Sequence, residues 1–225
     1  MASLALAVMA KAPQAGRVKT RLCPPLSPAE AAAFARCCLL DTLAKVRTLP
    51  AVPVLTYTPA SQRQCFAAMA PDFTLLPQPA GDLGRRMAHC FRRLFARGFS
   101  AVLLMGSDLP TLPVAYLRHA MALLEAASVD LVLGPSEDGG YYLIGLRQLH
   151  EALFTQIPWS SAGVLQATLQ RAAAHRLRVA CLPAWYDVDT PAELARLRTE
   201  LAHTHPEPPF HTSRFVLEHA TRLQN

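Results

Sequence analysis

Short apolar runs alternate with helix-patterned segments along nearly the whole chain, and this alternation restricts the fold more than any other feature. Leu4 to Met9 is a near-continuous apolar run, as expected of a strand buried on both faces. Ser27, Pro28 and Glu30 then spell a helix start: a capping residue, proline at the first position and glutamate at the capping-box position. That helix is expected to run to about Arg47. Ala33, Phe34, Cys37, Cys38, Leu40, Leu43 and Ala44 form its buried stripe, with Asp41 the exception. Further strands are expected at Val52 to Tyr57, Phe73 to Leu76, Ala101 to Met105, Val129 to Leu133, Tyr141 to Leu146 and Leu177 to Leu182. Helices are expected near Ser61 to Met69, Asp82 to Arg97, Pro113 to Ala127, Ala162 to His175 and Thr190 to Leu201. Such alternation predicts a Rossmann-like α/β/α sandwich around a mostly parallel sheet. The turn SEDGG before Tyr141 breaks the alternation and predicts a small antiparallel insertion, at an edge or at the site.

A chain of 225 residues, 52% hydrophobic and 17% charged, suits one globular domain with a substantial core rather than disorder. Its longest apolar runs are far too short to span a bilayer. The N-terminal run lacks a preceding basic region and does not read as a signal peptide. Six cysteines occur without a C-x-x-C pair, which argues against zinc and for free thiols in a reducing cytoplasm. A net charge of +6 favours anionic partners. No nucleic-acid motif accompanies it, so nucleic acid is not expected as a partner. The domain is expected to span residues 1–202, followed by a tail over 203–225. Pro206, Pro208 and Pro209 break that tail, while Phe215, Leu217 and Leu223 are candidate anchors for a short docking helix. His203, His205, His211 and His219 match no metal-binding spacing and read as surface residues.

In an open α/β sheet, ligands bind beyond the carboxyl ends of the strands. Three predicted strands end in unusual polar sequences: KAPQAGRVKTRL after the first, GSDLP after Leu104, and WYDVDTPAEL after Leu182. The first places Lys11, Arg17, Lys19 and Arg21 around Gly16, which permits close backbone approach. It reads either as a solvated basic loop or as a phosphate cradle. It is not a P-loop, because G-x-x-x-x-G-K-[ST] is absent. Asp108 reads either as a turn former or as a carboxylate ligand for Mg²⁺. Asp189 or Thr190 must cap the helix that Pro191 opens, which leaves Asp187 as an uncommitted carboxylate at a strand end. Asp108 and Asp187 are then expected on one metal-binding face, with the cations neutralising phosphate oxygens.

The set KAPQAGRVKTRL, GDLGRRM, GSDLP, EDGGYYLIGL, IPWSS and DVDTPAEL resembles a bacterial family of GT-A-type, nucleotide-diphospho-sugar transferase-like proteins, often labelled glycosyltransferase from their fold. It also resembles molybdenum-cofactor nucleotidyltransferases and phospholactate guanylyltransferases. The likeness runs from Leu4 to Leu201. It implies a metal-dependent transferase that takes an NTP or a nucleotide sugar and a small acceptor. It implies Mg²⁺ or Mn²⁺ on Asp108 and Asp187, with Asp189 completing the candidate set. Lys11, Gly16, Arg17, Lys19 and Arg21 become the phosphate loop, and Lys11, Lys19, Arg21 and Asp108 the catalytic candidates. Asp82 is first a helix cap, and with Gly84 lies beside the nucleotide in the resembling family. Asp138, Gly139, Gly140, Tyr141, Trp159 and Ser160 are candidate acceptor-pocket residues, although EDGG also reads as a plain hairpin turn. K-A-P-Q-A-G replaces the G-G-x-S-x-R loop of sugar and molybdopterin nucleotidyltransferases, and S-D-L at Ser107 to Leu109 replaces the glycosyltransferase D-x-D. The four cations lean toward nucleotidyl transfer with release of pyrophosphate. Glycosyl transfer, a non-catalytic nucleotide-binding role and a homodimer are left open.

Overall fold

The computed structural model describes residues 4–203 and 209–219. Seven strands form its sheet: β1 (Leu4–Lys11), β2 (Val52–Thr58), β3 (Thr74–Pro77), β4 (Ala101–Met105), β5 (Leu131–Pro135), β6 (Tyr141–Leu146) and β7 (Val179–Cys181). Among the described residues seven α-helices accompany them: α1 (Pro28–Arg47), α2 (Arg63–Met69), α3 (Leu83–Phe95), α4 (Val114–Glu125), α5 (Val164–Ala174), α6 (Pro191–His203) and α7 (Phe210–Glu218). Their sheet order is β3-β2-β1-β4-β6-β5-β7. β1, β2, β3 and β4 pair in parallel, as do β5 and β7, while β6 runs antiparallel to both its neighbours. The antiparallel insertion therefore lies inside the sheet. The SEDGG turn supplies the reversal, and β6 enters between β4 and β5 because its six residues are apolar enough to be covered on both faces.

Alternation along each strand splits the core across the sheet. Leu4, Leu6 and Val8 of β1 pack with Leu39 and Leu43 of α1, Phe66 of α2 and Leu117 and Leu124 of α4. Ala5 and Ala7 face Met87, Phe91 and Leu94 of α3 and Ala172 of α5. The predicted capping box opens α1: Glu30 N donates to Ser27 Oγ at 3.3 Å, and Ser27 N donates to Glu30 Oε2 at 2.8 Å.

A third apolar cluster joins the outer side of α1 to α6 and α7, through Phe34, Cys38, Leu194, Leu197, Phe215 and Val216. Asp41, the polar exception on α1, is only 4% exposed. Its carboxylate accepts from the amides of His211 (2.9 Å) and Thr212 (2.8 Å), so it caps the start of α7. Of the candidate tail anchors, Phe215 is buried, whereas Leu217 is 76% exposed. Leu217 sits two residues after Phe215, and on a helix that spacing turns it away from the face Phe215 uses. Leu223, His205 and the side chain of His203 lie outside the described residues. All six cysteines are free. Among the described residues no helix is long and apolar enough to cross a membrane.

Candidate functional site

Beyond Lys11 the chain leaves the sheet, and the amide of Ala12 still donates to the Thr58 carbonyl at 2.8 Å. Two left-handed residues then turn it, Gly16 (φ 70°) and Lys19 (φ 50°). Glycine adopts that conformation freely, but lysine does so at some cost and needs holding. Lys19 is held by its own side chain, which is 3% exposed. Its ammonium lies 2.9 Å from Asp108 Oδ2 and 2.7 Å from Asp189 Oδ1, and donates to the Val188 carbonyl at 2.7 Å. Burial alone acts to lower the Lys19 pKa, but the two carboxylates outweigh it and raise the pKa above the usual lysine value. Lys19 is therefore a permanent cation between two strand ends.

The two aspartates reach Lys19 from different elements. Asp108 follows β4, and its carbonyl accepts from the Val188 amide at 3.0 Å, which joins the GSDLP turn to the DVDTP segment. At the start of α6, Glu193 Oε2 accepts from the amides of Asp189 (2.7 Å) and Thr190 (2.6 Å), and Glu193 N donates to Thr190 Oγ1 at 3.5 Å. Thr190 is thus the cap, and both aspartates of the motif keep their carboxylates for other work. Asp187 accepts from Ser136 Oγ at 2.8 Å. Burial pushes its carboxyl up to about 7, Ser136 and Lys19 oppose that rise, and the charges of Asp108 and Asp189 add to it. Among the described residues, no three His, Cys, Asp or Glu side chains form a ready metal cage.

Two adjoining cavities divide the candidate residues. A cleft of about 420 Å³ is lined by Lys11, Arg17, Lys19, Asp108 and Tyr141, with Asp189 on its wall. A smaller cavity of about 280 Å³ is lined by Arg21, Asp138, Asp187 and again Asp189. The four loop cations are therefore not gathered at one point: Arg21 faces the second cavity, apart from Lys11 and Arg17.

Other candidates have local work. Asp82 Oδ1 accepts from the Arg85 amide at 2.8 Å and so caps α3. A Cβ on Gly84 would fall 2.5 Å from Trp159 Nε1, so that glycine lets α3 lie against the indole. Neither residue lines either cavity. Trp159 meets the Tyr141 ring edge-on, with centroids 6.5 Å apart, and backs that wall of the cleft. Asp138 Oδ1 accepts from the Gly140 amide at 2.9 Å. Gly139 has φ +89°, and a Cβ there would meet the Ala162 carbonyl at 2.2 Å. EDGG is thus a hairpin turn pressed against the segment that precedes α5. Ser160 is exposed at φ 66° and belongs to the adjoining turn.

The cleft also holds Thr58, Gln78 and Arg86, which sequence reasoning missed. Thr58 ends β2 and Gln78 follows β3, positions that the strand-end rule marks once the strands are known. Arg86 had a subtler signal. Arg85 and Arg86 lie in the first turn of α3, where the helix dipole disfavours cations unless an anion compensates.

Comparison with solved structures gives 32% identity and a TM-score of 0.91 to a Desulfovibrio desulfuricans G20 protein described as a candidate nucleotide-diphospho-sugar transferase, covering 100% of this chain and 98% of that one. A cytidylyltransferase from Leptospira borgpetersenii shares the fold at TM-score 0.61 and 10% identity, over 100% of this chain and 98% of its own. A CMP:2-keto-3-deoxy-manno-octonic acid synthetase in complex with CTP does so at 0.58 and 12%, over 89% and 98%. No curated protein matches the chain. Residues 41–161 match the family described as an uncharacterised protein conserved in bacteria, DUF2064. With more than half its length under that match, and a relative of nearly one-third identity along all of it, the chain belongs to the DUF2064 family.

Proposed function

We propose that this protein is a metal-dependent transferase that draws on an activated nucleotide donor, with nucleotidyl transfer from an NTP to a small acceptor as the leading reaction. The observation that carries the reading is the cleft at the carboxyl ends of β1 to β4, which Lys11, Arg17 and Arg86 line together with Asp108. With Lys19 and Asp189 the cleft carries four cations and two carboxylates, an excess of positive charge that suits a polyphosphate held together with a divalent ion.

The residues fit Mg²⁺ or Mn²⁺. Asp108, Asp187 and Asp189 offer hard carboxylate oxygens. The Lys19 ammonium already serves as a stand-in cation against two of them. Asp108 and Asp187 would hold the ion, with Asp189 beside them, and a bound divalent ion would neutralise charge on the donor phosphates. Lys11 and Arg17 bind phosphate oxygens on the open side of the cleft, joined by Arg86. Gly16 leaves open space above the loop backbone, where a Cβ would meet nothing within 4 Å. Lys19 lines the cleft while its ammonium contacts Asp108 and Asp189. An acceptor hydroxyl gives up its proton to solvent and its oxygen bonds to the α-phosphorus, the bond from that phosphorus to the oxygen bridging to the β-phosphate breaks, and pyrophosphate leaves toward the cations. Tyr141, backed by Trp159, forms the acceptor-side wall. Arg21, Asp138 and Asp187 border the adjoining cavity, which gives the acceptor a second approach.

Likeness to cytidylyltransferases supports this reading at the level of fold. The relative at 32% identity supports a second one, transfer of a sugar from an NDP-sugar with release of the nucleoside diphosphate. Incubation with each NTP or NDP-sugar, Mg²⁺ and a panel of hydroxyl acceptors distinguishes them. Pyrophosphate as the released product is the expected result; nucleoside diphosphate from NDP-sugars alone would replace the leading reading with the second.

A further inference from the structure

We infer that Lys45 and Thr42 of α1 are positioning residues for Asp108, gripping the backbone of the loop that presents it. The loop poses a hydrogen-bonding problem. The amide of Gly106 donates to the Tyr142 carbonyl at 3.1 Å, and the chain then leaves the sheet. From Ser107 to Leu112 its carbonyls have no strand to pair with, and Pro110 and Pro113 prevent the segment from closing into a helix. The Leu109 carbonyl accepts from the Leu112 amide at 3.2 Å within the loop, and the remaining carbonyls need donors from elsewhere.

α1 supplies them. Thr42 Oγ1 shares its one hydrogen between the Cys38 carbonyl of its own helix (2.9 Å) and the Ser107 carbonyl of the loop (3.2 Å). One turn on, the Lys45 ammonium donates to the carbonyls of Leu109 (3.3 Å), Pro110 and Leu112 (2.9 Å). An ammonium has three N–H donors, and this one spends them on three carbonyls. A cation held by three carbonyls resembles the basic residues that close a helix C-terminus, transplanted here onto a loop. The other side of the loop is also fixed. Thr111 Oγ1 lies 3.5 Å from Tyr186 Oη and 3.4 Å from Glu200 Oε2, and the Val188 amide donates to the Asp108 carbonyl. The Asp108 backbone is thus clamped between α1 and the segment that carries Asp187. No substrate contact is assigned to Lys45; it acts through the loop.

The inference that this placement serves a metal site rests on the function proposed above, whereas the grip itself does not. The test therefore reads them separately, in the full-length protein. Lys45→Met keeps the length of the stem and deletes the donors; Lys45→Arg keeps charge and donors. Amide exchange is followed at Leu112 and Val188, which donate into the loop, and in β1 and β4 as internal references. Mn²⁺ affinity with CTP or GTP present is read by electron paramagnetic resonance. Lys45→Met is expected to speed exchange in the loop about tenfold with the references unchanged, and to weaken Mn²⁺ binding by a similar factor, with Lys45→Arg closer to wild type. Faster loop exchange in a protein that binds no Mn²⁺ would support the grip and remove the metal reading. Unchanged loop exchange, or equal acceleration in loop, β1 and β4, would overturn the positioning role. Should Lys45→Met fail to fold, Thr42→Val, which removes the hydroxyl that the Ser107 carbonyl shares with the Cys38 carbonyl, decides by the same criteria.

Discussion

Lys19 illustrates how a residue's meaning depends on its partners. In sequence it belongs to a run of cations that wait for an anion; in the fold two aspartates already surround it. Lys19→Met leaves the carboxylates of Asp108 and Asp189 facing each other. Both are partly exposed, at 36% and 45%, so solvent screens their repulsion. The expected loss of stability is about 1–2 kcal/mol, below the cost of breaking a fully buried pair. Millimolar Mg²⁺ should then raise the melting temperature of the variant more than that of the wild type, by taking over the vacated cation position. Equal shifts in a thermal melt would contradict that. Asp187 makes a pH-dependent prediction. Its folded pKa of about 7 lies above the ordinary 3.8. Between those values the folded state binds more protons than the unfolded state, so this group lowers stability as pH rises through the window. The cost is absent below the ordinary value and complete above pH 7. Asp187→Asn should therefore gain stability relative to wild type by about 1–2 kcal/mol at pH 8, after allowance for screening, and show little gain near pH 4. Urea midpoints of both proteins at the two pH values measure this.

At the scale of elements, close packing sets what each can tolerate. Gly84→Ala drives a methyl into Trp159 and the Phe154 carbonyl, which lie 2.5 and 2.6 Å from its position. An overpacked contact of this kind costs about 1–3 kcal/mol. Because Trp159 backs Tyr141, tryptophan emission should shift along with the melting temperature; an unperturbed spectrum would mean that α3 moves as a body instead. Asp41→Ala removes the cap of α7 and should cost about 1–2 kcal/mol, with proteolysis beginning at the C-terminal segment. How legible these features were varied with their range. Ser27 with Glu30, and Thr190 with Pro191, announced their helices because a cap is a local bargain between neighbours. β4 and β6 were readable to the residue because each is a closed apolar run. The place of β6 inside the sheet was not, since the register of a strand is decided by its partners. Asp41 appeared only as an anomaly in an apolar stripe, and its explanation lay 170 residues away in α7.

For the molecule as a whole, the parallel sheet turns separate sequence signals into one site. The first, fourth and last strand regions end in charged motifs, and the fold brings those ends together, with Lys19 touching the other two through Asp108, Val188 and Asp189. That convergence was legible, because the strand-end rule needs only the strands. The division of labour was not. Arg21 turned to a second cavity, Lys45 entered from α1, and Arg86 from α3. Each depends on side-chain direction between elements distant in sequence. The central claim is that nucleotide and divalent ion bind together at Asp108, and calorimetric titration with CTP and GTP, with and without Mg²⁺, tests it most directly. The account predicts that Mg²⁺ strengthens nucleotide binding to the wild type and that Asp108→Ala abolishes this gain while retaining the weaker, metal-free binding through Lys11, Arg17 and Arg86. Nucleotide affinity that responds to Mg²⁺ equally in Asp108→Ala and wild type would contradict it.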